Sequence, residues 1–312
     1  MRQRRAFISF PTEHGSSASL LNKQKLLSGV NISFNINITS QFGIPSEASI
    51  DVYNLNREDL QFLTTSAATW LVKQSLIQLY AGYDDDVELL FGGRIVEAKP
   101  MGYPDLQLHI RGLSGFEWMT RTISIEKENL KVLDLLDYVS SVTKYPINIP
   151  KWLRDTNEFL NKKLESFSYT GSVWNLLDEI QKMCGGFSID EKSIVLSTYN
   201  DSINVYNAGQ TNTGKTLLIN DTTGMIGVPT PTSVGIDVKI LLNPTIKTGD
   251  IIYLESKRIP MCNGIYRVVQ ITHTGELRGK NWYSSLHCTY VGKPWKDSQE
   301  YIDMKNKEKT ND

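Results

Sequence analysis

The sequence predicts a mainly β fold with an α+β insertion: two antiparallel β regions flanking a small α+β module. Three observations carry this. Apolar and polar residues alternate with period two in the first hundred or so residues and again after residue 202. Helical periodicity is confined to the stretch between. Gly, Pro and Asn pairs such as Asn243-Pro244 and Asn263-Gly264 punctuate the later alternating runs. The chain therefore divides into a first β domain at 1–118, an α+β module at 119–200, a second β domain at 201–295 and a polar tail at 296–312.

Val30, Ile32, Phe34, Ile36 and Ile38 alternate with Asn31, Ser33, Asn35 and Asn37, a half-buried antiparallel strand. A short helix follows at 57–63, with Asn56 placed to cap it. Residues 76–80 and 87–96 flank the turn at 82–86, and Leu106, Leu108 and Ile110 then alternate with Gln107, His109 and Arg111, which completes a meander. In the middle, Leu130, Leu133, Leu136 and Val139 predict a helix over 129–143. Val173, Trp174, Leu177 and Ile180 predict a second over 171–184, stopped by Gly185-Gly186. Short strands are expected at 187–190 and 193–197, and longer ones at 235–242, 250–255, 264–272 and 281–290.

The two β regions are laid out alike. A strand ending at Tyr80 is followed eleven positions later by one starting at Phe91, and Leu254 and Ile265 stand in the same relation. Residue identity between the regions is poor, so the spacing is what suggests a duplicated barrel.

Charge excludes several functions. The 312 residues carry 33 Lys+Arg against 34 Asp+Glu, a formal charge of -1, with no basic region for neutralising phosphates. Cys184, Cys262 and Cys288 form no CxxC pair and read as reduced core thiols. The apolar run from Ala6 to Phe10 is too short for a signal-peptide core, and no stretch approaches the roughly 18 apolar residues of a membrane span, so synthesis in a cytoplasm is expected.

One motif matches a catalytic pattern. Gly209-Gln210-Thr211-Asn212-Thr213-Gly214-Lys215-Thr216 fits the phosphate-loop consensus. That chemistry needs a helix N-terminus after the loop, whereas Leu217-Leu218-Ile219-Asn220 reads as a short strand ending in a turn. No strand ending in a magnesium-binding Asp accompanies it, so a flexible polar loop is expected. Asp84-Asp85-Asp86 lacks the spacing of a calcium loop and reads as a solvated turn. His14, His109, His273 and His287 are scattered and read as surface or interface residues. Cys184 lies on the apolar face of a helix, and no GxSxG elbow occurs, so no catalytic, cofactor or metal residue is assigned.

Beyond these motifs, Thr223-Gly224-Met225-Ile226-Gly227-Val228-Pro229, Gly235-Ile236-Asp237-Val238 and Leu241-Leu242-Asn243-Pro244 resemble the C-terminal part of bacteriophage baseplate hub proteins. So do Asn263-Gly264-Ile265-Tyr266-Arg267-Val268, the turn at His273-Thr274-Gly275-Glu276 and Trp282. Val52-Tyr53-Asn54-Leu55, Ala81-Gly82-Tyr83 and Leu90-Phe91-Gly92-Gly93-Arg94-Ile95 are similar to that family's first domain. The resemblance implies two tail-tube-like antiparallel β-barrels per chain and a homotrimeric hub joining the sixfold tail tube to the threefold central spike. The tail tube or its initiator, the spike and other baseplate proteins are the implied partners. The genome would pass through the ring without sequence-specific binding, and the role is structural, in the virion, with no length after Trp295 for a fused lysozyme or peptidase. From the residues alone, two rival classes stay open: a phosphate-loop-like nucleotide hydrolase using Lys215, and a carbohydrate-binding β module using exposed aromatic residues.

Overall fold

The structure, a computed structural model, describes residues 3–11, 25–40, 44–66, 76–102, 106–115, 121–185, 193–199, 202–207 and 216–291. The expected strand at 187–190, the phosphate-loop-like segment at 209–215, His14 and the tail at 296–312 lie outside them.

The first region contains β1 (Arg4–Phe10), β2 (Lys25–Leu27), β3 (Asn31–Thr39), β4 (Glu47–Tyr53), helix α1 (Arg57–Ser66), β5 (Leu76–Tyr83), β6 (Asp86–Met101) and β7 (Gln107–Leu113). Alternation in β3 works as the sequence implies, with Ile32, Phe34, Ile36 and Ile38 buried. Asn56 caps α1, its Oδ1 accepting the Asp59 N–H at 2.8 Å. The β5–β6 turn is possible because Asp84 adopts a left-handed φ of 51°, which Asp tolerates, and its Oδ1 accepts the Gln3 N–H at 2.8 Å.

The middle unit comprises β8 (Thr122–Lys131), α2 (Val132–Thr143), β9 (Ile147–Asn148), α3 (Lys151–Thr156), β10 (Lys163–Ser172), α4 (Val173–Met183), β11 (Ile194–Tyr199) and β12 (Ser202–Asn207). Here the sequence reading needs correction. The helices begin at Val132 and Val173, because Asn129 and Gly171 belong to β8 and β10, which pair antiparallel as a two-stranded ribbon. Ile123, Ile125, Phe167 and Tyr169 turn one ribbon face onto the unit's core, but the exposed run from Glu126 to Asn129 interrupts the alternation in β8. Leu135, Leu136, Leu176, Leu177 and Ile180 form this unit's own core with Leu196 and Val205. The expected border at residue 200 falls inside the β11–β12 hairpin, and β12 also pairs with β9.

A joint at Tyr206 fastens this unit to the rest. Tyr206 of β12 is buried with its ring over Gly249, where φ is +91° and a Cβ would lie 2.3 Å from the tyrosine Cζ. Ser197 Oγ and Thr248 Oγ1 share a 3.1 Å hydrogen bond, and the Arg267 guanidinium lies 5.9 Å from the Tyr206 ring centre.

The last region contains β13 (Leu217–Asn220), β14 (Met225–Pro231), β15 (Gly235–Leu241), β16 (Ile251–Glu255), β17 (Gly264–Glu276) and β18 (Trp282–Tyr290). Its strands run in one sheet with those of the first region, in the order β14-β15-β18-β17-β3-β4-β7-β6-β5-β1-β2, with β16 on β17 and β13 on β16. Among the described residues this pairing closes neither region into a barrel. Both regions share one hydrophobic core, and the β3–β17 ladder fuses them edge to edge. Phe34 lies over Gly275 in that ladder, where a Cβ would stand 2.2 Å from the ring. Arg4 of β1 adds a second tie, donating to the Gly279 carbonyl at 2.7 Å and lying 5.5 Å from the Trp282 ring centre.

The sheet is duplicated in topology. The path β3-β4-β7-β6-β5-β1 repeats as β14-β15-β18-β17-β16-β13. Register agrees as well: a bulge interrupts β6–β7 between Ile95 and Glu97, and a bulge interrupts β17–β18 between Val268 and Gln270. Superposing the bulges matches Arg94 with Arg267, Arg111 with His287 and Ser49 with Asp237 along the paired strands. The copies differ in detail: β1 is antiparallel to β5 whereas β13 is parallel to β16, and β14–β15 and β5–β6 carry irregularities absent from β3–β4 and β16–β17.

Candidate interface: a polar sheet face and its edges

Eight strands, from β14 through β15, β18, β17, β3, β4 and β7 to β6, present one continuous face away from the core. Their inward residues, such as Ile50, Ile110, Val238, Ile271 and Leu286, are buried. Period two then forces the intervening polar residues onto the opposite face.

Charges on this face are paired across strands. Arg111 Nε of β7 donates to Glu47 Oε1 of β4, and this contact raises the guanidinium pKa. His109 Nδ1 lies 2.8 Å from Asp51 Oδ1, and His287 Nδ1 lies 2.6 Å from Asp237 Oδ1. Within β6, Lys99 Nζ sits 2.6 Å from Glu97 Oε1 and lowers that carboxyl's pKa. Gln270 Nε2 donates to Asn37 Oδ1 at 2.8 Å across the β17–β3 junction. Lys239 Nζ lies 4.1 Å from the Tyr283 ring centre. Such exposed pairs contribute little stability each. Their effect is to leave the face hydrophilic and nearly charge-balanced, with no run of free cations among the described residues on which a polyanion would be held.

The histidines divide. His109 and His287 lie on the polar face as the sequence implied, but His273 is 1% exposed and belongs to the core. Its Nδ1 is 2.8 Å from Ser284 Oγ, its Nε2 has no hydrogen-bond partner among the described residues, and burial pushes its pKa down to about 3. Cys184, Cys262 and Cys288 are all buried and unbridged, and burial raises the Cys184 thiol to about 12 and pushes Cys288 up as well. Lys215 lies outside the described residues. The segment after Thr216 is strand β13 and then a turn at residues 221–224, so no helix N-terminus follows the loop to receive a phosphate.

The chain is thus a duplicated, mainly antiparallel sheet with one apolar and one balanced polar face. Several solved phage-tail and secretion-system structures share this fold. The 43 kDa tail protein of prophage MuSo2 from Shewanella oneidensis superposes with a TM-score of 0.61 at 7% identity, covering 93% of this chain and 97% of its own. A tail protein from Neisseria meningitidis gives 0.60 at 8% identity, with the same coverages. The c3393 protein of the Escherichia coli type VI secretion system, described as structurally similar to the T4 phage tail proteins gp27 and gp5, gives 0.53 at 11% identity over 84% of this chain and 74% of its own. No curated protein matches the chain significantly. The chain belongs to the baseplate hub gp41 family, whose model matches residues 13–288. It is a structural component of the phage tail baseplate, and not an enzyme.

Proposed function

We propose that three copies of this chain form a hub ring that joins the sixfold tail tube to the threefold central spike, with the polar sheet face lining its channel. The internal duplication of the sheet carries this reading. Three chains with two equivalent sheet units each offer six repeats to a tube on one side and three identical chains to a spike on the other. A neutral, hydrogen-bonding face suits a passage through which DNA must slide without being held. The type VI secretion relative, described as similar to two T4 tail proteins, is consistent with a place between tube and spike.

In this reading the chain comprises tube-like units at 1–118 and 201–295, a middle module at 119–200 extended by the β12 pairing, and the tail at 296–312. The protein is made in the host cytoplasm and assembles there with other baseplate proteins. Reconstruction of the assembled tail tests the proposal. Three chains around the axis, with β4 and β7 facing the lumen, is the expected result. A monomer, or a ring of six identical chains, would overturn it.

A further inference from the structure

The trimer proposed above leaves two sheet edges to be matched, and the chain already contains the pattern for matching them. Strand β17 pairs with β16 as far as Arg267 and takes up β3 from Gln270 onward. Its counterpart β6 pairs with β5 as far as Arg94, the residue equivalent to Arg267, and no described strand then takes the place of β3 beside residues 98–101. The counterpart of β3 is β14, which pairs with β15 on one side and with no described strand on the other. These two open edges correspond to the two sides of the β17–β3 ladder.

We propose that β14 of one copy lies along residues 98–101 of β6 in the next copy, and that prolines on both edges keep the contact from zipping into a ladder before assembly. The proposal rests on the trimer reading. Carrying the β17–β3 register over, with Asn35 matched to Thr230 through their partners on β4 and β15, sets Met101 opposite Thr230, Pro100 opposite Pro231 and Lys99 opposite Thr232.

Backbone alternation fixes which way each proline nitrogen points. The Thr232 N–H donates to the Gly235 carbonyl, so Thr230 and Thr232 face β15 and the Pro231 nitrogen faces outward. The Asn54 N–H donates to the Leu106 carbonyl, so Leu106 and Leu108 face β4 while Gln107 and His109 face β6. Pro100, opposite Leu108, therefore turns its nitrogen to the open edge. Inside the chain, the equivalents of Pro100 and Pro231 are His273 and Ile36, and the neighbouring bond from Leu277 N–H to the Ile32 carbonyl marks them as a mutually hydrogen-bonded pair. Where the chain has two N–H···O bonds within itself, the contact between copies has neither. Proline on an edge strand is a known guard against unwanted strand pairing. The contact then relies on side chains, and Met101, Ile226 and Val228 are exposed there at 47%, 38% and 42%.

Two measurements test this. Tails assembled with full-length Met101→Cys/Thr230→Cys protein are oxidised and run on a non-reducing gel, with Lys99→Cys/Thr232→Cys as a second pair in case one substitution blocks assembly. A covalent band of three chains, absent from every single variant, is expected. A hub of three chains by mass that gives no such band with either pair overturns this contact while leaving the trimer reading in place. A hub of any other mass overturns both. Separately, sedimentation of the full-length Pro100→Val/Pro231→Val variant should reveal concentration-dependent oligomers where the parent chain is monomeric. A variant as monomeric as the parent, or a parent already oligomeric by itself, overturns the role given to the prolines.

Discussion

His273 makes the core sensitive to acid in a way that can be calculated. Its imidazole is buried in β17, and its pKa falls from 6.5 to about 3 because burial penalises the charged form. The unfolded chain therefore takes up the proton first. Between pH 6.5 and 3 the unfolded state binds more protons, so stability falls as pH falls through this window, and above pH 7 the group contributes no slope. At pH 5 the loss is about 1.5 pH units times about 1.36 kcal/mol, or roughly 2 kcal/mol, and this figure barely depends on how far below 4 the native pKa lies. The assay is urea unfolding at pH 7.5 and pH 5.0 for the parent and for His273→Gln, comparing slopes because carboxylates titrate in both proteins. The parent should lose about 2 kcal/mol more than the variant. Parallel losses, or a native His273 imidazole resonance that titrates above pH 5, would refute the argument.

Three other perturbations follow from the same packing. Gly275→Ala puts a methyl 2.2 Å from the Phe34 ring and should destabilise the chain by about 1–3 kcal/mol in urea titration, with partial recovery in Gly275→Ala/Phe34→Leu. Asn56→Ala removes the acceptor for the Asp59 N–H and should cost about 1 kcal/mol, detected as a lower urea midpoint at unchanged slope. At pH 8 an aromatic disulfide reagent should label the three buried cysteines only slowly in the native protein and all three at once in urea, because burial holds Cys184 and Cys288 as thiols; rapid native labelling of Cys184 would contradict its placement.

Much of this was legible where burial is one-sided. β3 alternates because one face meets the core, and Asn56 stands at the one capping position before a short amphipathic run. The β8–β10 ribbon was not legible because four successive exposed residues, Glu126 to Asn129, break the alternation that Ile123 and Ile125 begin, so register and turn geometry decide it with little help from patterning. His273 shows a signal present but unused. The sequence reading ends this strand at residue 272 and sets His273 in a turn, whereas β17 runs on to Glu276, and with Gln270, Thr272 and Thr274 on the polar face parity then assigns His273 to the core. The duplication was read one residue out of step, since spacing matched Phe91 with Ile265 whereas the bulges match it with Gly264. Arg94-Ile95-Val96 and Arg267-Val268-Val269 would have fixed the offset. Cross-strand pairs such as Arg111 with Glu47 join residues 64 apart, and their meeting depends on a register that no local pattern records.

The joint at Tyr206 has a mechanical consequence. A tyrosine ring seated where glycine alone leaves room, held beside a Ser197–Thr248 hydrogen bond, ties the middle unit to the segment that leads into β16. The β8–β10 ribbon packs Ile123, Ile125, Phe167 and Tyr169 on that unit's core, so it is carried by the same joint. A side chain at position 249, just ahead of β16, would unseat the Tyr206 ring and loosen the middle unit and the sheet together.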